Sequence, residues 1–383
     1  MKIAILKDKA AYEKRVAATP ETVKKYKTLG FDVTIEKSAG ENASITDEQY
    51  QAAGATLAES AKEALKGAHV VLRIQRPGLG GEDEKEILSS IEEKSIFVSL
   101  FSPYTFSEYA ESFKAKKLTC VALEMIPRIT RAQSMDVLSS QANLAGYRSV
   151  IESAALLDRA FPMMMTAAGT IPPARVLIMG AGVAGLQAIA TARRLGAIVS
   201  AFDVRAAAKE QVESLGATFV SVDTTESGEG GGGYAKEMSK EYQKAQAQKI
   251  EQEIEKNDIV ITTALIPGKP APQLVTEAMV KKMKPGSVIL DMAVESGGNC
   301  ALSKLNEIVN INGVQIIGHP NLPSRIARDA SALFARNIYS FIDLIVNKED
   351  KKVELNFEDE IIASSILMHQ GEFIHPLFKT KGE

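Results

Sequence analysis

The sequence predicts an α/β fold of two doubly wound, Rossmann-like parallel-sheet domains with a cleft between them, the first domain being discontinuous. Three observations carry this. Short apolar runs alternate with amphipathic helical stretches over the first 125 residues. A second alternating series begins at residue 174. The length, 383 residues, is the ordinary size of two domains that each bury a core.

In the first series, 1–6 reads as a strand. Thr19, Pro20 and Glu21 read as an N-cap with proline at the first helical position, and that helix stops at Gly30. Further strands are expected at 31–36, 70–74, 96–100 and 118–123. A long Ala-, Leu- and Ser-rich helix is expected over 136–160, closed by Phe161 and Pro162, as a connection between domains. The second series has strands at 174–179, 198–202, 218–222, 258–262, 287–290 and 314–317. A last helix over 331–346 is expected to return to the first domain. The tail, 353–375, alternates like a strand pair about a Gln370-Gly371 turn. The expected division is 1–137 plus 328–383 against 138–327.

Composition excludes several classes. Lys plus Arg total 45 and Asp plus Glu 48, a net charge of -3, which gives no electrostatic case for nucleic acid or an anionic membrane surface. The two cysteines, Cys120 and Cys300, make no zinc spacing and no disulfide framework, as expected of a chain in a reducing cytoplasm. Lys7 and Asp8 come too early for a signal-peptide core. The uncharged run 176–192 is nearly long enough to cross a membrane, but it holds three glycines and Gln187 and reads as strand, turn and helix.

That run contains Gly180-Ala-Gly182-Val-Ala-Gly185, a G-x-G-x-x-G pattern. An apolar strand precedes it, a good helix follows, and the next strand ends at Asp203, eighteen residues past Gly185. Gly180 permits the tight turn, Gly182 lets a pyrophosphate approach the backbone, and Gly185 lets helix and strand pack closely. A diphosphate would meet the unpaired N–H groups at the positive end of the helix. Asp203 would accept the adenosine ribose hydroxyls and repel a 2′-phosphate, favouring NAD(H). Arg205 blunts that preference.

Two other segments stand out. Residues 127–136 crowd Arg128, Arg131, Gln133 and Asp136 just past a buried-looking strand, at the carboxyl edge where doubly wound sheets take ligands. Either Arg128 and Asp136 pair across the loop and hold Gln133 toward the cleft, or Asp136 is a helix N-cap and the arginines are solvated. Residues 223–240 hold four consecutive glycines, Gly230 to Gly233, followed by Tyr234. Ordering them costs much entropy. They are either a lid that closes over a nucleotide or a disordered insertion.

Four runs then resemble a known family. They are 128–136 (RITRAQSMD), 139–147 (SSQANLAGY), 161–170 (FPMMMTAAGT) and 263–272 (TALIPGKPAP). They are similar to the NAD(H)-binding component of proton-translocating transhydrogenases, a family allied to alanine dehydrogenases, and the resemblance covers essentially the whole chain. Lys7, Arg15-Val-Ala and Met283-Lys-Pro-Gly286 fit the broader group. The resemblance implies that Arg128, Ile129, Thr130, Gln133, Asp136 and Ser139 surround the nicotinamide and its ribose. It implies Val183 and Ala184 at the pyrophosphate turn and Asp203, Val204 and Arg205 at the adenosine end. Gly233 and Tyr234 would belong to a closing loop, with Gln246 and Leu265 near the nucleotide. The glycine run before Tyr234 departs from the family's loop in length and content.

The resemblance further implies NAD(H) on this chain, NADP(H) on a partner subunit, membrane-spanning subunits and a homodimer. It places the chain in the bacterial cytoplasm, peripheral on the inner face of the cytoplasmic membrane. One departure from the alanine dehydrogenases bears on activity. Their Lys-Val-Lys-Glu-Pro stretch reads Arg73-Ile-Gln75-Arg76-Pro77 here, and their active-site His falls at Phe101. Oxidative deamination needs a cation for the carboxylate and an acid–base group for the amine. Hydride transfer between two nicotinamides needs neither; it needs the two C4 atoms held roughly 3–3.5 Å apart without water. Gln133 is the expected bridging residue, with Arg128, Asp136 and Ser139 holding the carboxamide and its loop. The competing readings are an alanine-dehydrogenase-like oxidoreductase and an NAD-sensing subunit without transfer activity.

Overall fold

A computed structural model describes residues 1–78, 84–222 and 239–378. The chain divides into two units, Met1–Gln141 with Ser324–Glu383, and Ala142–Pro323. The first unit opens with strands β1 (Lys2–Ile5), β2 (Asp32–Glu36), β3 (Thr56–Ala58), β4 (Val70–Gln75), β5 (Ile96–Leu100) and β6 (Thr119–Ala122). Between them lie helices α1 (Pro20–Thr28), α2 (Asp47–Ala52), α3 (Ala61–Leu65), α4 (Glu84–Ser90) and α5 (Ala110–Ala115). The cap expected at Thr19 is a capping box: the Thr19 side chain accepts the Thr22 N–H, and Thr22 reaches back. The strand β3 was not expected.

The chain passes into the second unit within α6 (Val137–Leu156), which ends four residues before the expected 160. A hairpin of β7 (Met164–Thr166) and β8 (Gly169–Ile171) follows, where no strands were expected. Then come β9 (Arg175–Met179), α7 (Val183–Arg194), β10 (Ile198–Phe202), α8 (Ala208–Ser214) and β11 (Thr218–Phe219). After the break come α9 (Lys240–Ile254), β12 (Ile259–Thr262), α10 (Glu277–Lys282), β13 (Val288–Asp291), β14 (Ile308–Ile311) and β15 (Val314–Ile317). The uncharged run at 176–192 is thus strand, turn and helix. Among the described residues no helix is long and apolar enough to cross a membrane.

The return to the first unit begins with α11 (Ala327–Ile345), four residues earlier than expected. A short pair, β16 (Val346–Asn347) and β17 (Lys352–Val353), precedes α12 (Glu360–Ser365), β18 (Ile366–His369) and β19 (Glu372–Phe373). The tail therefore contains a helix where an unbroken strand pair was expected. The turn itself is as read: Gln370 and Gly371 have φ of 49° and 87°, both left-handed, as a tight hairpin turn requires.

Both sheets are doubly wound. The first runs β3-β2-β1-β4-β5-β6-β18-β19, parallel except for the last two strands. The second runs β11-β10-β9-β12-β13-β15-β14, parallel except for β14. In each, the first strand lies between the second and the fourth of its series. Connections leave toward opposite sides there, which opens a crevice at the carboxyl ends of that strand and its neighbour. The switch points are β1/β4 in the first unit and β9/β12 in the second.

The strands are buried on both faces, as parallel sheets require. One face of the first sheet packs Val23, Phe334 and Phe341. The other packs an aromatic cluster of Phe97, Phe101, Phe106 and Phe113, with ring centroids 5.0 to 6.3 Å apart and mostly edge-on. Phe101 is fully enclosed there, so it is a core residue rather than one facing a ligand.

Candidate functional site

In the second unit the glycine turn joins β9 to α7, and each glycine meets a different constraint. Gly180 has φ 106°, and a Cβ there would stand 2.4 Å from Thr263 Oγ1. A Cβ on Gly185 would lie 1.8 Å from the Gly180 carbonyl oxygen, so only glycine lets α7 approach the turn. A Cβ on Gly182, the N-cap of α7, would meet nothing within 4 Å. The space above Gly182 is therefore open, and the first N–H groups of a twelve-residue helix face it. That is a fit for a diphosphate. Gly146 on α6 sits against the same turn: its Cβ would fall 2.0 Å from Ala184 O.

Asp203 is buried at the end of β10. One oxygen accepts the Ala181 N–H at 2.7 Å, which ties the glycine turn to the neighbouring strand. Arg205 donates to the same carboxylate from its backbone N–H, Nε and Nη2 at 2.8 to 2.9 Å. The expectation that Asp203 repels a 2′-phosphate is weakened, because Arg205 matches its charge. Val204 packs partly buried on the adjacent core, Val183 and Leu265 are exposed, and Gln246 is buried on α9. Gly233 and Tyr234 lie outside the described residues, as does most of 223–240. The loop after β12 is framed by Asn299, a buried residue the sequence did not single out. Its amide accepts the Ala264 N–H and donates to Ala264 O and Pro272 O.

In the first unit, 130–135 forms a 3-10 turn (Thr130–Met135) after β6. With three residues per turn, side chains at i and i+3 line up on edges. Ala132 and Met135 form the buried edge. Arg131 and Ser134 form a second, held by contacts: Arg131 grips Asp359 with two bonds of 2.7 and 2.8 Å, and Asn337 Nδ2 donates to Ser134 O at 2.8 Å. Thr130 and Gln133 form the third edge, which is exposed, with Arg128 also exposed and Ile129 partly buried. Asp136 caps α6, accepting the Ser139 N–H at 2.8 Å and the Ser139 hydroxyl at 2.6 Å. Of the two arrangements open to this segment, the cap is the one observed for Asp136.

Glu124 lies just before this turn and was also missed. Its Oε1 accepts the Phe101 and Ser102 N–H groups, both at 2.7 Å, while Oε2 is enclosed without a hydrogen-bond partner. Burial pushes its carboxyl up to about 7, against the pull of those N–H groups and of Arg76.

Comparison with known proteins agrees with this architecture. The family descriptions "Alanine dehydrogenase/PNT, N-terminal domain" and "Alanine dehydrogenase/PNT, C-terminal domain" match residues 4–145 and 149–376. The chain is 54% identical over 384 residues to an NAD(P) transhydrogenase subunit alpha chain of Rhodospirillum rubrum, covering all of both chains. It is 41% identical to NAD(P) transhydrogenase subunit alpha of Haemophilus influenzae over 98% of this chain and 72% of that one. Among solved structures, a transhydrogenase from Sinorhizobium meliloti superposes with a TM-score of 0.87 at 47% identity, over 98% of this chain and all of that one. An L-alanine dehydrogenase superposes at 0.78 and 25% identity, over 98% and 97% of the two chains.

The contacts at the two sites set testable expectations. Gly182→Ala keeps the fold, at a cost below about 1 kcal/mol, but weakens NADH binding about tenfold or more. Gly185→Ala destabilises by about 1–3 kcal/mol through overpacking. Calorimetric titration and urea unfolding of both variants separate the two effects. For Glu124, the folded value lies above the ordinary 4.5. Its contribution is therefore full below that ordinary value and is lost as pH rises toward about 7. Glu124→Gln should flatten this region of the stability–pH curve, and an unchanged difference from wild type between pH 5 and pH 8 would count against it. Fold, glycine turn and sequence likeness converge on one assignment: the chain belongs to the alanine dehydrogenase/PNT family, among its transhydrogenase alpha subunits.

Proposed function

We propose that this chain binds NAD(H) and presents NADH for direct hydride transfer to NADP+ held by a partner subunit. In the assembled complex, membrane-spanning subunits couple that transfer to proton translocation. The chain itself is peripheral, on the inner face of the bacterial cytoplasmic membrane. When bound, the dihydronicotinamide supplies the hydride at C4.

The observation that carries the reading is the open N-terminus of α7 over Gly182, within a chain of this family. The chain's residues divide the work. The α7 N–H groups hold the pyrophosphate, with Val183 and Ala184 beside it. Asp203, with Val204 and Arg205, receives the adenosine ribose. Gln246 and Leu265 flank the nucleotide, and Gly233 and Tyr234 close over it. Arg128, Ile129, Thr130 and Gln133 hold the nicotinamide and its ribose, while Asp136 and Ser139 fix the loop that carries them. None of them has to accept or give a proton, because no proton moves at the reacting carbons.

The alternative, amino-acid oxidation, is disfavoured by specific contacts. Phe101 is enclosed among phenylalanines, and Gln75 donates its amide to Glu13. Mixing the chain with an NADP(H)-binding transhydrogenase component and following hydride exchange between NADH and an NADP+ analogue tests the proposal. L-alanine-dependent NADH formation by the isolated chain would reverse it. For Gln133→Ala, NADH affinity should change less than threefold while transfer falls about a hundredfold, as misplacement at a reacting centre does. Equal transfer by both proteins removes Gln133 from the role.

The second copy of the proposed homodimer is assigned to the β7–β8 hairpin. Met163, Met164 and Met165 are 60%, 45% and 82% exposed there, and no charged residue lies between Arg159 and Arg175. A two-stranded hairpin with bare apolar side chains is marginal in water and calls for a cover. Met165→Glu should shift the chain toward monomer in sedimentation equilibrium by about tenfold or more in Kd. An unmoved equilibrium places the contact elsewhere.

A further inference from the structure

The crevice at the switch point of the first sheet, between the carboxyl ends of β1 and β4, contains a constellation that the proposed hydride transfer does not use. Glu13, in the loop after β1, is buried. Its Oε1 accepts the Arg15 N–H at 3.0 Å, Arg15 Nε at 2.7 Å and the Ser324 hydroxyl at 3.2 Å. Its Oε2 accepts Arg15 Nη2 at 2.6 Å and Gln75 Nε2 at 3.2 Å. Arg15 is further fixed by Gln141 Oε1 at 2.8 Å, and Gln75 by its own N–H on Asp8 at 2.9 Å. These donors come from the β1 loop, the end of β4 and the 3-10 turn before α11.

A fork of guanidinium nitrogens, a backbone N–H, a hydroxyl and an amide converging on two oxygens is how a site recognises a free carboxylate. Its place is the one where doubly wound sheets take ligands. The carboxylate in it belongs to the chain. We propose that Glu13 is a built-in occupant of a carboxylate-recognition site formed by Arg15, Gln75 and Ser324, and that it keeps small free carboxylic acids out of the first unit. The proposal holds whether or not this chain passes hydride to a second nucleotide.

The geometry gives Glu13 two advantages over a dissolved acid. It is tethered two residues from Arg15, so it loses little freedom on entering the site. It also satisfies Arg15, whose buried charge would otherwise be costly. Deleting the carboxylate should leave a gap of matching size and charge that a one- or two-carbon carboxylate can fill.

The test is thermal unfolding of the full chain and of Glu13→Ala, titrated with formate and acetate, with chloride at equal ionic strength as the control. Glu13→Ala should unfold at a lower temperature than wild type. Formate should raise its Tm saturably, by about 3 °C or more, while leaving wild type unmoved. Glu13→Ala/Arg15→Met should lose the response. A folded Glu13→Ala that ignores formate, or responds equally to chloride, overturns the proposal, as does an equal response by wild type. If Glu13→Ala does not fold, Glu13→Gln decides. Its amide keeps the shape but lacks the charge, so formate must still raise its Tm for the proposal to stand.

Discussion

A parallel sheet whose connections depart in two directions from its first strand must open where they part, and this constraint organises both halves of the molecule. The strand order β3-β2-β1-β4-β5-β6 in one unit is repeated as β11-β10-β9-β12-β13-β15 in the other. Each order creates one crevice at the carboxyl edge, and the backbone there is committed to a turn whatever function follows. What differs is how the sequence fills the opening. At β9/β12 three glycines strip the turn of side chains and leave helical N–H groups facing space. At β1/β4 Glu13, Arg15 and Gln75 fill the opening with a closed set of hydrogen bonds. One crevice is prepared for an anion and the other already contains one.

The difference is electrostatic as well as steric. A helix N-terminus carries about half a positive charge and keeps it available, because its N–H groups lack partners until a ligand arrives. Arg15 carries a whole charge, but Glu13 balances it at 2.6 Å within a buried surround. Asp203 lies between these cases. Its carboxylate organises the glycine turn through Ala181 while Arg205 matches its charge. Around the open turn, burial and close packing serve to hold an empty space in shape. Gly185 against Gly180 and Gly146 against Ala184 are contacts that no larger residue could make.

Much of this was legible in the sequence because it is dictated locally. The glycine pattern, the Thr19 capping box and the Gln370-Gly371 turn each follow from what a few neighbouring residues can do. Apolar runs placed most strands of both sheets. The failures have a shared cause. Glu13 meets Ser324 across 311 positions and Glu124 meets Phe101 across 23, so neither environment has a local signature. Asp136 had two local partners open to it, and periodicity could not choose between them. In the tail, Ile361 and Ile362 read as strand residues. Asp359, capping the Ile361 N–H, starts a helix there instead. The hairpin at 164–171 has no alternation of apolar and polar residues at all, so a pattern search passes over it.

The 3-10 turn at 130–135 follows the same logic at smaller scale. An α-helix of six residues would spread its side chains over the whole circumference, and a flexible loop would fix none of them. A 3-10 turn sorts them onto three edges. Two edges are held, one by the core through Ala132 and Met135 and one by Asp359 and Asn337. The Arg131–Asp359 pair is largely exposed at the arginine and adds little stability alone. Its value is that two parallel bonds fix an orientation, and that Asp359 is itself held by capping α12. The third edge, with Thr130 and Gln133, is left facing outward on a rigid base. If the rate of hydride transfer comes from holding a ring in place rather than from moving a proton, such a base is what the reaction demands of this segment of the chain. An acid–base residue on that edge would add nothing.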